Sequence, residues 1–347
     1  MKLTFVINDI MSEDETYTTI RLGRRALQMG HDVAFVSLVN FTYEPDESVS
    51  ALASVPRARH ETDAELLADV QGDDAELTKI CISDQDVLFL RADPAPELVA
   101  RPWAHVSSLL FAQLAAKRGV IVLNDPQHLT DASNKTYFQQ YPKAIRPVTC
   151  ITRDPAEIKR FIEDQGGKAV IKPLQGSGGQ GVFVITPETM ANLNVSIETT
   201  VKDGYAIVQE YLPDAADGDL RLITLNGKPL QVDGTYACFR RYNDTGDARS
   251  NFSAGGKIKL EAPDERALRL AEICGPKLVN DGMYLAGLDI VGDKMMEINV
   301  DTPGGINLVE SLTEIDFAGA IIRDMERKVE LRDHYRGRLR NDQIAVM

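Results

Sequence analysis

Short apolar runs alternate with stretches of helical periodicity along the first third of the chain. The runs are bounded by polar or turn residues and predict buried strands at residues 3–7, 33–36, 86–90 and 120–123. Apolar residues at helical spacing predict helices at residues 16–29 and 106–118. Strand, helix and strand in this order favour right-handed β-α-β units. We therefore predict an open parallel sheet that ends near residue 124, with the polar segment 43–79 as an excursion or small hairpin at its edge.

The pattern changes after residue 124. A predicted helix at residues 130–140 leads into Pro142 and Pro147, which mark a boundary. Beyond it we predict a helix at 155–165, a strand at 169–172, a glycine-rich loop and a strand at 182–186. After Thr200 the pattern predicts a β-rich unit with strands at 205–210, 220–225 and 228–236, a hairpin at 287–299, and covering helices at 264–281 and 317–329. The predicted domains are residues 1–124, 125–203 and 204–347.

Charge and composition exclude several classes of protein. The chain has 38 Lys+Arg against 52 Asp+Glu, a net charge of −14, which argues against binding to nucleic acid or to an anionic membrane. No apolar stretch approaches the roughly 18 residues that a membrane helix needs. The 4 cysteines are scattered, without a C-x-x-C pair, so neither a zinc site nor a disulfide framework is expected. We predict a soluble, cytoplasmic protein of several domains.

The most informative local feature is a lysine before a glycine-rich loop. The glycines satisfy G-x-G-x-x-G, but a dinucleotide-binding loop would open a helix, whereas this loop continues into a predicted strand. It is not a Walker loop either, because Lys172 precedes the glycines. A strand, a lysine, a flexible loop and a strand are typical of a flap that closes over phosphates. The alternative is a glycine-rich hairpin turn with Lys172 in solvent.

The predicted hairpin at 287–299 carries Asp289 on one strand and Glu297 and Asn299 on the other. Glu297 and Asn299 are two residues apart and share a face. A two-residue turn would pair residue 289 with 296 and point Asp289 to the opposite face. A three-residue turn over 291–293, or one bulge, would pair it with 295 and bring all three oxygen ligands together. Such ligands suit Mg²⁺ that bridges nucleotide phosphates; the alternative is two surface carboxylates beside a turn.

Basic residues cluster in the last third of this acidic chain. Beside glycines, such a cluster indicates recognition of carboxylate or phosphate by bidentate guanidinium groups, and the alternative is surface charge paired with Asp244 and Asp247. Arg91 lies at the carboxyl end of a predicted strand, where open α/β sheets bind ligands. The clustered residues are Arg221, Arg240, Arg241, Arg249 and Asn251, followed by Gly255 and Gly256.

Taken in order over roughly residues 1–330, these motifs resemble the ATP-grasp superfamily, and within it the bacterial glutathione synthetase family. Several motifs in the right order are far more specific than any one of them. The markers are Arg91-Ala92-Asp93-Pro94, Asn134-Lys135, Ile171-Lys172-Pro173-Leu174 with the glycine loop, Gln209-Glu210-Tyr211-Leu212-Pro213, Gly218-Asp219-Leu220-Arg221, Arg249-Ser250-Asn251 with Ala254-Gly255-Gly256, Gly287-Leu288-Asp289-Ile290 and Glu297-Ile298-Asn299-Val300.

The resemblance implies an ATP-grasp fold of the α/β class, in which an N-terminal open parallel-sheet domain precedes an α+β lid and a C-terminal subdomain with the metal and substrate site. Residues implied to bind ATP are Lys135, Lys172, Gly176, Ser177, Gly178, Gly179, Gln209, Glu210, Tyr211, Leu212 and Asp219. Implied catalytic residues, which would neutralise the acyl phosphate and substrate carboxylates, are Arg221, Arg241 and Arg249. Implied substrate-binding residues are Arg91, Asn251, Gly255 and Gly256. Implied ligands for two Mg²⁺ ions, or for Mn²⁺, are Asp289, Glu297 and Asn299.

The implied reaction is phosphorylation of a carboxylate by ATP, followed by attack of an amine that gives an amide, ADP and phosphate. The leading hypothesis is the joining of γ-glutamylcysteine to glycine, and we expect a homo-oligomer. The pair Arg240-Arg241 looks as much like the ribosomal-protein glutamate ligase branch, and Asn307 stands where glutathione synthetases commonly have arginine. Open alternatives are therefore a ligase with another acceptor, a catalytically silent ATP-binding regulatory module, and a kinase with a stable product.

Overall fold

A computed structural model describes residues 1–176, 181–202, 204–243 and 256–347, apart from the side chains of Leu98 and Val99. Its first sheet has the strand order β4-β3-β2-β1-β5-β6. The strands are β1 (Lys2–Ile7), β2 (Asp32–Tyr43), β3 (Val49–Val55), β4 (Glu76–Cys81), β5 (Val87–Leu90) and β6 (Ile121–Leu123).

This first sheet is mixed, not wholly parallel as predicted. Strands β1, β2, β5 and β6 are parallel, whereas β3 and β4 pair antiparallel at the β2 edge. The segment 43–79, expected as an excursion or small hairpin, supplies both antiparallel strands and a helix between them. Strand β4 has no clear apolar period in the sequence, because it is an edge strand without a fully buried residue.

Helices cover both faces of this sheet. They are α1 (Thr18–Gln28), α2 (Asp63–Gln71), α3 (Pro94–Ala100), α4 (Pro102–Lys117) and α5 (Pro126–Asp131). Alternate residues of β1 enter two cores: Phe5 packs in the core that contains Ile20 of α1, and Val6 in the core that contains Leu109 of α4. Burial on both faces explains why these strands are apolar at nearly every position.

The helix predicted at residues 130–140 is wrong in its bounds. Helix α5 begins earlier, because Asp125 caps it through hydrogen bonds from the backbone N–H groups of Gln127 and His128, and Pro126 occupies its first turn. A separate 3₁₀ turn, Tyr137–Gln140, follows.

The middle unit is a four-stranded antiparallel sheet of order β7-β10-β8-β9. Its elements are β7 (Thr149–Thr152), α6 (Pro155–Asp164), β8 (Ala169–Pro173), β9 (Phe183–Ile185), α7 (Leu193–Val201) and β10 (Ala206–Glu210). Ile158, Ile171 and Val208 belong to a core separate from that of the other sheets. We expected β10 to begin the C-terminal unit, but it pairs with β7 and β8 in this sheet.

The C-terminal unit is built on a sheet of order β16-β15-β11-β17-β18, with β12 paired to β11. The strand predicted at 228–236 is three short strands, since Asp233 and Gly234 both have positive φ and form a tight turn. The elements are β11 (Asp219–Leu225), β12 (Lys228–Pro229), β13 (Gln231–Val232), β14 (Thr235–Tyr236), β15 (Cys238–Tyr242), β16 (Lys257–Leu260), α8 (Glu265–Asn280), β17 (Leu285–Val291), β18 (Lys294–Asn299), α9 (Ile306–Thr313), α10 (Phe317–Tyr335) and α11 (Asn341–Ile344).

The first and third units are joined through polar contacts as well as a shared core. Arg25 of α1 forms an ion pair with Asp316, the residue that caps α10, at 2.7 Å. Asn124, just after β6, donates to the carbonyls of Leu285 and Val300 at 2.9 and 2.5 Å. These contacts hold the end of β18 beside the carboxyl edge of the first sheet. No helix in the described ranges combines the length and apolar character needed to cross a membrane.

Candidate active site

The register of the β17–β18 hairpin brings the three candidate metal ligands together. A two-residue turn at Gly292 and Asp293 pairs Val291 with Lys294, and a bulge then places Asp289 opposite Glu297. The bulge was one of the predicted alternatives, but its pairing partner is residue 297 and not 295. Asn299 shares the face of Glu297 and donates from Nδ2 to Asp289 Oδ2 at 3.1 Å, which directs its Oδ1 elsewhere.

Asp289 is fully engaged by basic residues. It lies opposite Arg221 on β11, and this arginine binds both carboxylate oxygens. Arg241 approaches Oδ2 at 2.8 Å and is itself held by Asp219 at 2.5 Å. Burial opposes ionisation, but the two arginines outweigh it and lower the pKa of Asp289 to about 2. Asp289 therefore acts as the centre of a buried ion cluster.

Glycine is required where the chain enters β11 beside this cluster. Gly218 has φ +82, and a Cβ atom there would lie 1.9 Å from the carbonyl oxygen of Arg241. Only glycine permits both the positive φ and this close approach. The glycine of the Gly218-Asp219-Leu220-Arg221 motif thus fixes the strand that carries Arg221.

Glu297 faces two lysines from other parts of the chain. Lys135, which follows α5, lies 3.3 Å from Glu297 Oε1, and Lys172 projects from β8. Burial disfavours the Glu297 carboxylate, but the two lysines outweigh it and lower its pKa. Burial, with repulsion from Lys135 as the next cause, lowers the pKa of Lys172 to about 8. Lys172 is only 9% exposed, so the prediction of a solvated turn lysine does not apply.

These groups line one cleft of ≈ 590 Å³ between the middle and C-terminal units. Both lysines and both arginines are therefore directed at the same space as the acidic hairpin. Of the residues predicted from the sequence, those that line the cleft are Lys135, Lys172, Gly176, Gln209, Arg221, Arg241, Asp289, Glu297 and Asn299.

The pair Arg240-Arg241 is divided by strand alternation. Arg241 points to the cleft, whereas Arg240 forms a bidentate pair with Glu261 at 2.5–2.9 Å and lines a separate groove. The guanidinium that can meet a substrate anion is therefore that of Arg241. Burial opposes its charge, but Asp289 and Asp219 raise the pKa of Arg241 above its usual range.

Other candidate residues lie away from the cleft surface or outside the described residues. Arg91 lines an adjoining pocket instead of the cleft. Glu210 accepts from the backbone N–H of Val148 at 2.8 Å. In the part of the chain that the structure describes, the cleft is not lined by Glu210, Tyr211, Leu212, Asp219 or Gly256. Outside the described residues lie Ser177, Gly178, Gly179, Arg249, Asn251 and Gly255. The roles of all these residues stay predictions.

Sequence reasoning missed three residues at this site. Tyr17 and Asp301 line the cleft, and Glu13 lines the adjoining pocket. Burial, with the charge of Asp93 as a smaller cause, raises the pKa of Asp301 to about 8. Asp301 could have been found from the sequence, because it directly follows the Glu297-Ile298-Asn299-Val300 motif. Glu13 and Tyr17 gave no such signal, because an acidic loop at residues 13–17 looks like ordinary protein surface.

Comparison with known proteins agrees with this geometry. The chain matches the family description "Prokaryotic glutathione synthetase, N-terminal domain" over residues 1–130 and "Prokaryotic glutathione synthetase, ATP-grasp domain" over residues 134–314. It is 32% identical over 253 residues to glutathione synthetase of Vibrio cholerae, which is 72% of this chain and 76% of that protein. It is 28% identical over 338 residues to glutathione synthetase of Synechocystis, which is 94% of this chain and 100% of that protein.

A solved structure shows the same fold at low sequence identity. The crystal structure of D-cycloserine synthetase DcsG superposes with a TM-score of 0.64 and 13% identity, covering 94% of this chain and 99% of that chain. The sheets and the cleft between them are therefore those of an ATP-grasp ligase, an enzyme class that forms its bond at the expense of ATP. Within that class, the chain belongs to the prokaryotic glutathione synthetase family.

Proposed function

We propose that this enzyme joins γ-glutamylcysteine to glycine with conversion of ATP to ADP and phosphate. The observation that carries the proposal is the match to both domains of the prokaryotic glutathione synthetase family over nearly the whole chain. The cleft supports it, because lysines that suit phosphates and arginines that suit an acyl phosphate face one another there.

The residues of the cleft divide between the two halves of the reaction. Lys135 and Lys172 bind the ATP phosphates while a carboxylate oxygen of the dipeptide attacks the terminal phosphorus and ADP departs. Arg221 and Arg241 stabilise the acyl phosphate and the oxyanion that forms when the amine attacks its carbonyl carbon. The amine loses a proton, phosphate leaves, and the amide remains. The chain needs no nucleophilic side chain for either step.

Two of the three predicted metal ligands on the hairpin have oxygen atoms that suit a hard cation. Glu297 is partly exposed to the cleft, and the Oδ1 atom of Asn299 is directed away from Asp289. The carboxylate of Asp289 instead forms ion pairs with Arg221 and Arg241 and orients both side chains. Glu297 and Asn299 would therefore hold Mg²⁺, which when bound neutralises charge on the transferring phosphoryl group.

The experiment is a substrate panel read by ADP release and product mass. With ATP and Mg²⁺, the protein should release ADP and form glutathione from γ-glutamylcysteine and glycine. Turnover only with another amino acid or peptide would identify a neighbouring ligase. A stable phosphorylated product would identify a kinase, and ATP binding without ADP release under any pair would identify a regulatory module.

Lys172→Met should weaken ATP binding about 10- to 100-fold, the effect of losing one charged contact to phosphate. Stability should not fall, because the buried ammonium of Lys172 is replaced by an apolar side chain of similar length. Isothermal titration calorimetry with ATP and thermal denaturation measure the two quantities. A marked loss of stability with unchanged ATP affinity would contradict the phosphate assignment.

The pH dependence of ATP binding gives an independent check on Lys172. Its pKa of about 8 means that the charged form, which binds phosphate, is lost as pH rises through 8. ATP affinity of the unmodified protein should therefore decline from pH 7 to 9, and this decline should be reduced in Lys172→Met. Lys168→Met is the matched control, since Lys168 is an exposed residue just before the same strand.

A further inference from the structure

The wall of the cleft that carries Lys135 has little regular structure of its own. It is the segment 132–146, between α5 and β7, and within these fully described residues the regular structure is two short 3₁₀ turns, Tyr137–Gln140 and Lys143–Ile145. Such a segment is not held by a strand ladder or by a long helix. Its position therefore depends on the contacts that its side chains make with the rest of the molecule.

Lys135 lies inside a closed turn of this segment. The backbone N–H of Tyr137 donates to the carbonyl of Asn134 at 3.2 Å, and Asn134 Oδ1 accepts from the backbone N–H of Thr136 at 2.9 Å. Asparagine side chains commonly stabilise turns through a bond of this second kind. The backbone N–H of Lys135 also donates to the carbonyl of Leu174, just after β8, at 3.3 Å. The position of Lys135 therefore follows that of Tyr137, which closes the turn.

Tyr137 is anchored to the end of α8. Its hydroxyl donates to Asp281 Oδ2 at 2.8 Å, and the same oxygen accepts from Lys277 Nζ at 2.6 Å. The ammonium of Lys277 also lies 4.9 Å from the centre of the Tyr137 ring. Asp281 is buried, which opposes its ionisation, but hydrogen bonds led by that from Lys277 outweigh burial and lower its pKa. Tyr137 thus donates to an ionised acceptor, which makes the bond a strong one.

The hydroxyl of Tyr137 is already engaged, so it acts on a ligand through the turn. Tyr137 lines the cleft but is only 4% exposed. Besides donating to Asp281, its hydroxyl accepts from the hydroxyl of Tyr141 at 3.2 Å. Burial raises the pKa of Tyr137 well above its usual range, so the hydroxyl keeps the proton that it donates.

We propose that Tyr137 is a positioning residue for ATP, and that its bond to Asp281 fixes the turn from which Lys135 reaches the phosphates. The proposal rests on the assignment of Lys135 to phosphate under the proposed function. A lysine side chain is long and flexible, and it loses conformational freedom when its ammonium binds. A backbone fixed in advance reduces that loss and so strengthens binding.

The test is a double-mutant cycle on ATP affinity, measured by isothermal titration calorimetry. Tyr137→Phe should raise the Kd for ATP about 3- to 10-fold, the effect of losing one hydrogen bond that holds Lys135 in position. In Lys135→Met protein, the same change should alter Kd less than about 2-fold, because the ammonium that it would displace is already absent. In the otherwise unmodified enzyme, Tyr137→Phe should raise KM for ATP in parallel with Kd and change kcat less than about 2-fold.

Tyr141→Phe is the matched control. Tyr141 is buried in the same cluster, but its hydroxyl donates to Tyr137 and leaves the bond from Tyr137 to Asp281 in place. Both variants should lower the midpoint of thermal unfolding, because each loses a buried hydrogen bond. Only Tyr137→Phe should weaken ATP binding.

An unchanged Kd in Tyr137→Phe would overturn the proposal, as would an equal loss in Tyr141→Phe or a loss that persists in Lys135→Met protein. If Lys135→Met alone leaves Kd unchanged, the phosphate assignment of Lys135 fails and the role of Tyr137 fails with it. The expected cycle, together with no amide formed from γ-glutamylcysteine and glycine by the unmodified protein, would overturn the proposed function and leave the role of Tyr137 standing.

Discussion

Glu297→Gln should reduce turnover on the order of 10³-fold or more, because it removes the carboxylate that we propose would hold Mg²⁺ in the cleft. The fold should be retained. Glu297 is one-third exposed and its ion pair in the described residues is the 3.3 Å contact with Lys135. Loss of such a pair costs less than about 1 kcal/mol, and glutamine keeps an acceptor for the lysine.

Turnover as a function of Mg²⁺ concentration measures the effect on the metal. The variant should need more Mg²⁺ for its residual activity, and its thermal unfolding should match that of the unmodified enzyme. Asp293→Asn is the matched control, because Asp293 is an exposed carboxylate in the turn of the same hairpin. An unchanged Mg²⁺ dependence in Glu297→Gln would count against a metal site on this hairpin.

The order of elements along the chain was predictable because buried strands need apolar runs and helices need apolar residues at helical spacing. Strand pairing was not. The apolar residues of β10 indicate burial but carry no information on which sheet they join, and the structure places β10 between β7 and β8. Likewise, the weak period after residue 43 concealed β4, since it is an edge strand and buries few residues.

The chemistry of the candidate site was predictable by residue type, but its geometry depended on single residues. One bulge in the β17–β18 hairpin determines whether Asp289 faces Glu297, and a bulge has no reliable signature in the sequence. Arg240 and Arg241 had to lie on opposite faces, yet both are equally polar, so the pattern did not say which one meets the cleft. Glu13 was overlooked because its burial comes from tertiary packing.

The structure also divides the three predicted metal ligands into two kinds. Glu297 and Asn299 have oxygen atoms that a cation can reach, whereas Asp289 satisfies Arg221 and Arg241 in a site where it is 2% exposed. The acidic hairpin thus has two parts: the Glu297 carboxylate faces the cleft, and the Asp289 carboxylate keeps Arg221 and Arg241 oriented. In a protein of net charge −14, the basic groups of this cleft keep their positions because neighbouring acids hold them there.

Asp289→Asn should therefore lower the free energy of unfolding by about 3–5 kcal/mol, since it leaves the buried guanidinium of Arg221 without its counter-charge and leaves Arg241 with Asp219 alone. Urea denaturation followed by circular dichroism measures the loss. Glu272→Gln, an identical loss of charge in an exposed pair with Arg269 on α8, is the control and should change stability by less than about 1 kcal/mol.

Acid denaturation tests the same contribution of Asp289 to stability. Its folded pKa of about 2 lies below the ordinary value of 3.8, so its contribution to stability is full above pH 3.8 and is lost as pH falls through 2. The Asp289→Asn variant should lack that part of the pH dependence, and its free energy of unfolding at neutral pH should be lower than that of the unmodified protein. If the variant instead unfolds at the same urea concentration as the unmodified protein and requires more Mg²⁺, Asp289 is a metal ligand and does not anchor the arginines.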